Sequence, residues 1–190
     1  MSITLRHLTR FGAVLALTLA GLFVVSAQPA AAEPIPSAVK LVLRYNSKCL
    51  EADLGHITTN GDAAQIWDCW NDPGNQKWRL MQIDGLYGTS GIYKIVNQDS
   101  GKCLESNLAY SGNGTPVQLW DCWADPGNQQ WRQEPIAPTI YNPVPGERLV
   151  NVLTGQCLDA DLGHINTNGA RLQLWNCWND PGNERWLVSA

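Results

Sequence analysis

Gln173-Leu174-Trp175-Asn176-Cys177-Trp178-Asn179-Asp180-Pro181-Gly182-Asn183-Glu184-Arg185-Trp186 is written three times in this chain. The earlier copies read Gln65-Ile66-Trp67-Asp68-Cys69-Trp70-Asn71-Asp72-Pro73-Gly74-Asn75-Gln76-Lys77-Trp78 and Gln118-Leu119-Trp120-Asp121-Cys122-Trp123-Ala124-Asp125-Pro126-Gly127-Asn128-Gln129-Gln130-Trp131. All nine tryptophans and three of the six cysteines fall inside these copies. Whatever the protein does must be compatible with being built three times over.

Upstream of each copy stands the other cysteine of a pair. Cys49, Cys103 and Cys157 are spaced 54 and 54 residues apart, and Cys69, Cys122 and Cys177 are spaced 53 and 55. Six cysteines can pair in 15 ways, but the repeat selects Cys49–Cys69, Cys103–Cys122 and Cys157–Cys177, one bridge per repeat. Zinc is the competing use of these thiols. No Cys-x-x-Cys knuckle exists and the histidines lack ligand spacing, so neither a metal nor a cofactor is expected.

Each repeat carries four short apolar runs separated by turn residues. In the first these are Leu41–Tyr45, Lys48–Glu51, Ala64–Trp67 and Trp78–Met81. The second has Ile92–Val96, Cys103–Glu105, Val117–Trp120 and Gln130–Arg132. The third has Leu149–Leu153, Cys157–Asp159, Leu172–Trp175 and Trp186–Val188. Their lengths and the Gly, Asn and Pro between them predict strands, and no segment after the N-terminus sustains a helical period. Asn60-Gly61, Asn113-Gly114 and Asn168-Gly169 are turn dipeptides that tolerate positive φ. Asp72-Pro73-Gly74, Asp125-Pro126-Gly127 and Asp180-Pro181-Gly182 suit a turn with Pro second and Gly third. Glu134 to Gly146 is a proline-rich connector. Three four-stranded units, none able to bury its apolar face alone, predict one closed pseudo-threefold all-β domain. Open stacking is the alternative, but no atypical capping repeat is visible.

Residues 1–32 read as a secretory signal peptide cut before Glu33: Arg6 and Arg10, an apolar run from Phe11 to Val25, then Ala30-Ala31-Ala32. The run is short for a membrane span and no later stretch is apolar enough to be one. The remaining 158 residues make one domain, residues 33–190, with repeats at about 38–85, 86–139 and 140–190. Without the two leader arginines, the chain's net charge of −4 becomes −6. That disfavours nucleic acid and anionic membranes, both of which are bound through basic patches. An even number of cysteines in an exported chain implies disulfides and a secreted protein.

Cys-Leu-Asp/Glu, then Gln-x-Trp-x-Cys, then Asn-Gln-x-Trp, three times over, resembles the ricin B-type lectins, which are also the family-13 carbohydrate-binding modules. The likeness runs over residues 38–189 and implies a β-trefoil with up to three sugar sites. By that resemblance the carboxylate receiving sugar hydroxyls is Glu51, Glu105 or Asp159. The stacking indole is Trp67, Trp120 or Trp175, with a hydrogen-bonding amide at Gln65, Gln118 or Gln173. The sugar-contacting Asn is Asn75, Asn128 or Asn183, and the residue bracing the carboxylate is Gln76, Gln129 or Glu184. The implied ligands are galactosides or xylose-containing polysaccharides. The chemistry is coherent without the family: a flat ring under the sugar's C–H face supplies area, while carboxylates and amides read hydroxyls.

Two departures stand out. Glu51 and Glu105 replace the family's Asp, adding a methylene. Glu184 replaces Gln beside Asp159, putting two carboxylates where one amide normally donates; if they are close, their repulsion should raise one pKa through a shared proton. The third and first sites therefore rank above the second.

Trp78, Trp131 and Trp186 read as core, since a buried indole organises a small interior. Trp67, Trp120 and Trp175 read either as stacking platforms or as core. Trp70, Trp123 and Trp178 follow a cysteine and point opposite to it in a continuing strand, so they either make an exposed second contact or cover the disulfide. The loop rings His56, Tyr110 and His164 line a pocket or simply sit on the surface. Asp53 and Asp161 read as turn formers. Asn113-Gly114-Thr115 fits a glycosylation acceptor.

Two other functions compete with sugar binding. A glycosidase would use Glu51 with Asp53 or Asp159 with Asp161, but such carboxylates must flank a scissile bond from opposite sides, and residues two apart on a strand share a face. A protease-inhibitor trefoil needs one reactive loop and has no use for three Gln-x-Trp elements. No nucleophile triad or phosphate-binding glycine loop is present.

Overall fold

The structure, a computed structural model, describes residues 37–189 apart from 72, 85–90, 125–126, 139, 141–142, 144 and 179–181. The leader at 1–32, the Asp-Pro parts of the three turns at Asp72, 125–126 and 180–181, and part of the 134–146 connector lie outside the described residues.

Among the described residues twelve strands fall in the predicted order. The first repeat holds β1 (Lys40–Leu43), β2 (Cys49–Ala52), β3 (Asp62–Trp67) and β4 (Trp78–Asp84). The second holds β5 (Ile92–Asn97), β6 (Cys103–Ser106), β7 (Thr115–Trp120) and β8 (Trp131–Ile136). The third holds β9 (Gly146–Asn151), β10 (Cys157–Ala160), β11 (Ala170–Trp175) and β12 (Trp186–Ser189). Alternating burial along β1 and β5 is the mark of strands with one face on a core. By contrast β2, β6 and β10 are buried at every position, because one face meets the core and the other carries the acidic residue into a hydrogen-bonded nest.

Six strands close a ring. β1 pairs with β12, β12 with β9, β9 with β8, β8 with β5 and β5 with β4. A bridge between Val39 and Trp78 returns β4 to β1. The hairpins β2–β3, β6–β7 and β10–β11 cap one end, and β3, β7 and β11 pair with one another around the pseudo-threefold axis. Closure leaves no long unpaired edge among the described strands, which is how such a sheet avoids self-association. This is the β-trefoil that the family resemblance implied.

Trp78, Trp131 and Trp186 are fully buried in a core with Leu41, Ile66, Ile95, Leu104, Leu119 and Leu158, as expected. Each indole Nε1 donates to a carbonyl in its own repeat: Leu50 O at 3.0 Å, Leu104 O at 2.9 Å and Leu158 O at 3.1 Å. Burying the indole N–H with a partner avoids a desolvation cost of about 1–3 kcal/mol. The disulfides are Cys49–Cys69, Cys103–Cys122 and Cys157–Cys177, closing loops of 20, 19 and 20 residues. Loops of that size contribute roughly 3 kcal/mol each in the chain-entropy picture.

The Asn-Gly turns do more than reverse the chain. Gly61, Gly114 and Gly169 sit at φ of 89°, 87° and 84°, where a side chain is strained. The preceding asparagines clamp neighbouring repeats. Asn60 Oδ1 accepts from Asp121 N, Asn113 Oδ1 from Asn176 N, and Asn168 Oδ1 from Asp68 N. Asn113 is thus committed to an inter-repeat bond, which a glycan on its amide would disturb.

Sequence reading missed three 3-10 turns, Gly74–Gln76, Gly127–Gln129 and Gly182–Glu184. Gly74 has no positive φ; a Cβ there would lie 1.7 Å from Asp99 Oδ1, so the position needs glycine for space. The strands β3, β7 and β11 also begin two residues early, where pairing around the axis outweighs the turn-forming tendency of Asp62 and Thr115.

Candidate functional site

The acidic residue and the first glutamine of each repeat are direct cross-strand neighbours: Glu51 opposite Gln65, Glu105 opposite Gln118, Asp159 opposite Gln173. Side chains directly opposite on one sheet face meet. Gln65 Nε2 donates to Glu51 Oε1 at 3.1 Å, Gln118 Nε2 to Glu105 Oε1 at 2.9 Å, and Gln173 Nε2 to Asp159 Oδ1 at 2.9 Å. The 3-10 turn then folds back over β2, β6 or β10 and delivers the Asn and its follower.

In the first two repeats that follower is an amide with three duties. Gln76 Nε2 donates to Glu51 Oε2 at 2.6 Å and to Asp68 O at 3.0 Å, while its Oε1 accepts from Trp70 N at 3.0 Å. Gln129 does the same with Glu105 Oε2 at 2.8 Å, Asp121 O at 2.9 Å and Trp123 N at 3.0 Å. Glu51 and Glu105, one methylene longer than the family's Asp, both meet this amide. In the second repeat Asn128 Nδ2 adds a further bond to Glu105 Oε2 at 3.2 Å, so three amides occupy that carboxylate. Asn75 instead donates to Ala52 O at 3.1 Å.

The third repeat is arranged differently. The shorter Asp159 takes Asn183 Nδ2 on Oδ2 at 2.6 Å. Glu184 keeps only one of the three amide contacts, accepting from Trp178 N on Oε2 at 3.1 Å. Its Oε1 is buried without a hydrogen-bond partner, because an ionised oxygen cannot donate where Nε2 does in the other repeats. Burial, then the charge of Asp159, pushes Glu184 up to about 7 against the pull of the Trp178 N–H. Burial likewise lifts Asp159 to about 6, with the Gln173 bond opposing and Asp161 adding. The repulsion expected at this pair acts on Glu184, whereas the like charge raising Asp159 is that of Asp161. Glu51 is also raised by burial, opposed by Gln76 and Gln65.

Asp159, Asp161, Leu162, Gln173, Trp175, Trp178 and Asn183 line one cleft of about 330 Å³. Half-buried Trp175 and exposed Trp178 give it two indole walls. Trp67 and Trp120 are also half-buried rather than sealed, each packing on the Asn-Gly turn of a neighbouring repeat: Trp67 beside Gly169, Trp120 beside Gly61. Trp70, Trp123 and Trp178 are 45%, 54% and 61% exposed, which favours an outer contact over a disulfide cover.

The loop rings stay on the surface. His164 Nδ1 sits 2.8 Å from Asp161 Oδ2, outside the indole cleft. Asp161 and Asp53 form the expected turns, accepting from Gly163 N at 2.9 Å and Gly55 N at 3.0 Å. Hydrogen bonding to His164, then to Gly163 N, holds Asp161 below the ordinary carboxylate range.

Sequence reading missed two contributors. Asp161 and Leu162 line the cleft, although Asp161 was read only as a turn former or as a glycosidase carboxylate. Lys40, Lys94 and Arg148, spaced 54 residues apart, donate to the carbonyls of Trp70, Trp123 and Trp178 and so anchor the exposed indoles. A cation recurring at one repeat position was the signal available for them.

A family model described as ricin-type beta-trefoil lectin domain-like matches residues 35–120 and 74–175. No curated relative matches the sequence. Among solved structures, the designed threefold-symmetric protein ThreeFoil is 25% identical, with 80% of this chain and 98% of that chain covered at a TM-score of 0.65. The C-half of an earthworm R-type lectin, crystallised with GalNAc, is 15% identical, with coverages of 81% and 98% and a TM-score of 0.56. An exo-β-1,3-galactanase from Clostridium thermocellum is 21% identical at a TM-score of 0.64; 80% of this chain matches 30% of that one. The last two establish shared fold only.

Proposed function

The chain belongs to the ricin-type β-trefoil lectin family, and from that premise we propose a secreted, non-catalytic carbohydrate-binding protein whose principal site is the third-repeat cleft. The observation that carries this is the convergence of Trp175, Trp178, Asp159, Gln173 and Asn183 on one opening. Two indoles offer apolar faces to a sugar ring. Asp159 has spent one hydrogen bond per oxygen on Gln173 and Asn183, so lone pairs remain for sugar hydroxyls.

The first and second repeats supply weaker sites at Glu51 and Glu105. Glu105, already holding three amides, has the least acceptor capacity left. Sites on one rigid body raise apparent affinity for a polymer by ~10²-fold where geometry allows. Galactosides and xylose-containing polysaccharides are the ligands to test first. A bridge in every repeat suits an oxidising compartment, in keeping with export and removal of residues 1–32.

Glycan-array binding by the mature protein tests the reading. Retention lost in Trp175→Ala with an unchanged circular dichroism spectrum supports it; unfolding would mean that the indole is core. A glycosidase reading draws on Asp159 and Asp161 being shifted in opposite directions within one cleft. Turnover of a labelled glycan that stops in Asp159→Asn is the result that would favour catalysis.

A further inference from the structure

We propose that Asp53, His56 and Asp62 form a binding site for a divalent transition cation of the Zn²⁺ class, in the loop joining β2 to β3. Their ligand atoms all lie within 4.8 Å of one another. Three donors at about 2.1 Å from one ion stand roughly 3.4 Å apart in tetrahedral geometry, so the cluster closes onto an ion by rotation of the exposed imidazole and the Asp53 side chain. An imidazole with two carboxylates is a donor set for such an ion; Ca²⁺ prefers oxygens alone and more of them. Two carboxylates also carry the charge that a divalent ion neutralises.

Asp62 is the observation that separates this cluster from an ordinary acidic loop. It is 5% exposed, and its Oδ2 is buried with no hydrogen-bond partner. An orphaned carboxylate oxygen costs free energy unless something binds it. Burial and the charge of Asp53 push Asp62 up to about 6, with Ala63 N–H, His56 and Arg171 opposing. Asp53, His56 and Asp62 line one hollow of about 340 Å³ with Thr59, Asn60 and Arg171, so an ion has a route in.

The third repeat supplies an internal control. There Asp161 and His164 repeat the first two ligands, but Ala170 stands where Asp62 does. Lacking a third group, His164 closes directly onto Asp161 at 2.8 Å. In the first repeat the His56–Asp53 counterpart of that bond is not made. Sequence spacing alone gave no expectation of a metal, because Asp62 joins the other two only when the hairpin folds. Arg171 reaches this hollow from β11 and must move aside for an ion.

The inference does not depend on the sugar-binding reading, and its test uses the metal alone. The untagged mature protein, stripped with chelator, is titrated with Zn²⁺ by calorimetry and with Co²⁺ by absorbance. One equivalent is expected, lost in His56→Ala and in Asp62→Asn, unchanged in His164→Ala and tightened in Arg171→Ala. His56 is exposed, so that variant remains informative should Asp62→Asn fold poorly. Absence of a binding step, survival of the step in His56→Ala, its loss in His164→Ala, or preference for Ca²⁺ would each overturn the assignment.

Discussion

The first and third arms differ at one bracing position by an amide nitrogen against a carboxylate oxygen, and the surroundings respond to that single change. Gln76 joins Glu51, the Asp68 carbonyl and the Trp70 amide into one closed set of bonds. Glu184 keeps the indole-residue amide, loses both donations and leaves an oxygen orphaned. The acid opposite is shorter in the third arm, Asp159 rather than Glu51, so it draws its second bond from Asn183. A long acid accompanies an amide brace, and a short acid accompanies an acidic brace. Both carboxylates hold one amide per oxygen, but the second donor on Asp159 is Asn183, which leaves Glu184 without the bond that Gln76 makes to Glu51. The lesson is that the identity of the brace decides which amide holds the second carboxylate oxygen, and every amide so used takes a lone pair that the proposed sugar hydroxyls would need.

Four experiments would break or sharpen this contrast. The largest effect is expected from Trp175→Ala, which should cost about 2–4 kcal/mol of saccharide binding by calorimetry. Trp120→Ala in the fully braced second arm should cost far less; equal losses would erase the distinction between arms.

Next is Glu184→Gln, which restores the missing donor. At pH 8 it should stabilise the fold by about 1–3 kcal/mol in urea unfolding, and the reverse change, Gln76→Glu, should destabilise it by a similar amount. A neutral result for Glu184→Gln would mean that water or a rearrangement already satisfies Oε1.

The pH dependence follows with a definite sign. Glu184 and Asp159 titrate higher in the fold than their ordinary values of 4.5 and 3.8, at about 7 and about 6. The folded state therefore holds more protons than the unfolded chain across this interval, and their stability contribution is full below pH 4 and lost as pH rises through 7. Thermal melts should show the wild type losing stability from pH 5 to 8 and Glu184→Gln losing less. Saccharide binding should run the other way, weakening below pH 6 as Asp159 takes up a proton and gives up acceptor capacity.

The smallest effect belongs to Arg148→Met. Freeing the Trp178 carbonyl should weaken saccharide binding by about 0.5–1 kcal/mol, with little change in unfolding, whereas Lys94→Met should leave binding at the third cleft untouched.

How much of this was legible in advance depended on the range of the interaction. The repeat, the bridges, the strand order and the core indoles at 78, 131 and 186 follow from period, cysteine spacing and local apolar pattern. The pairing of Glu51 with Gln65, Glu105 with Gln118 and Asp159 with Gln173 was not read from the sequence; it emerges from the hairpin register. Decided only by tertiary structure were the 3-10 turns, the exposure of Trp70, Trp123 and Trp178, the entry of Asp161 and Leu162 into the cleft, and the company Asp62 keeps. Each of these depends on chain segments brought together around the threefold axis or folded back over a strand. Sequence spacing encodes neighbours along the chain; solvent access and desolvation belong to the assembled surface, and they set apart three arms that read alike.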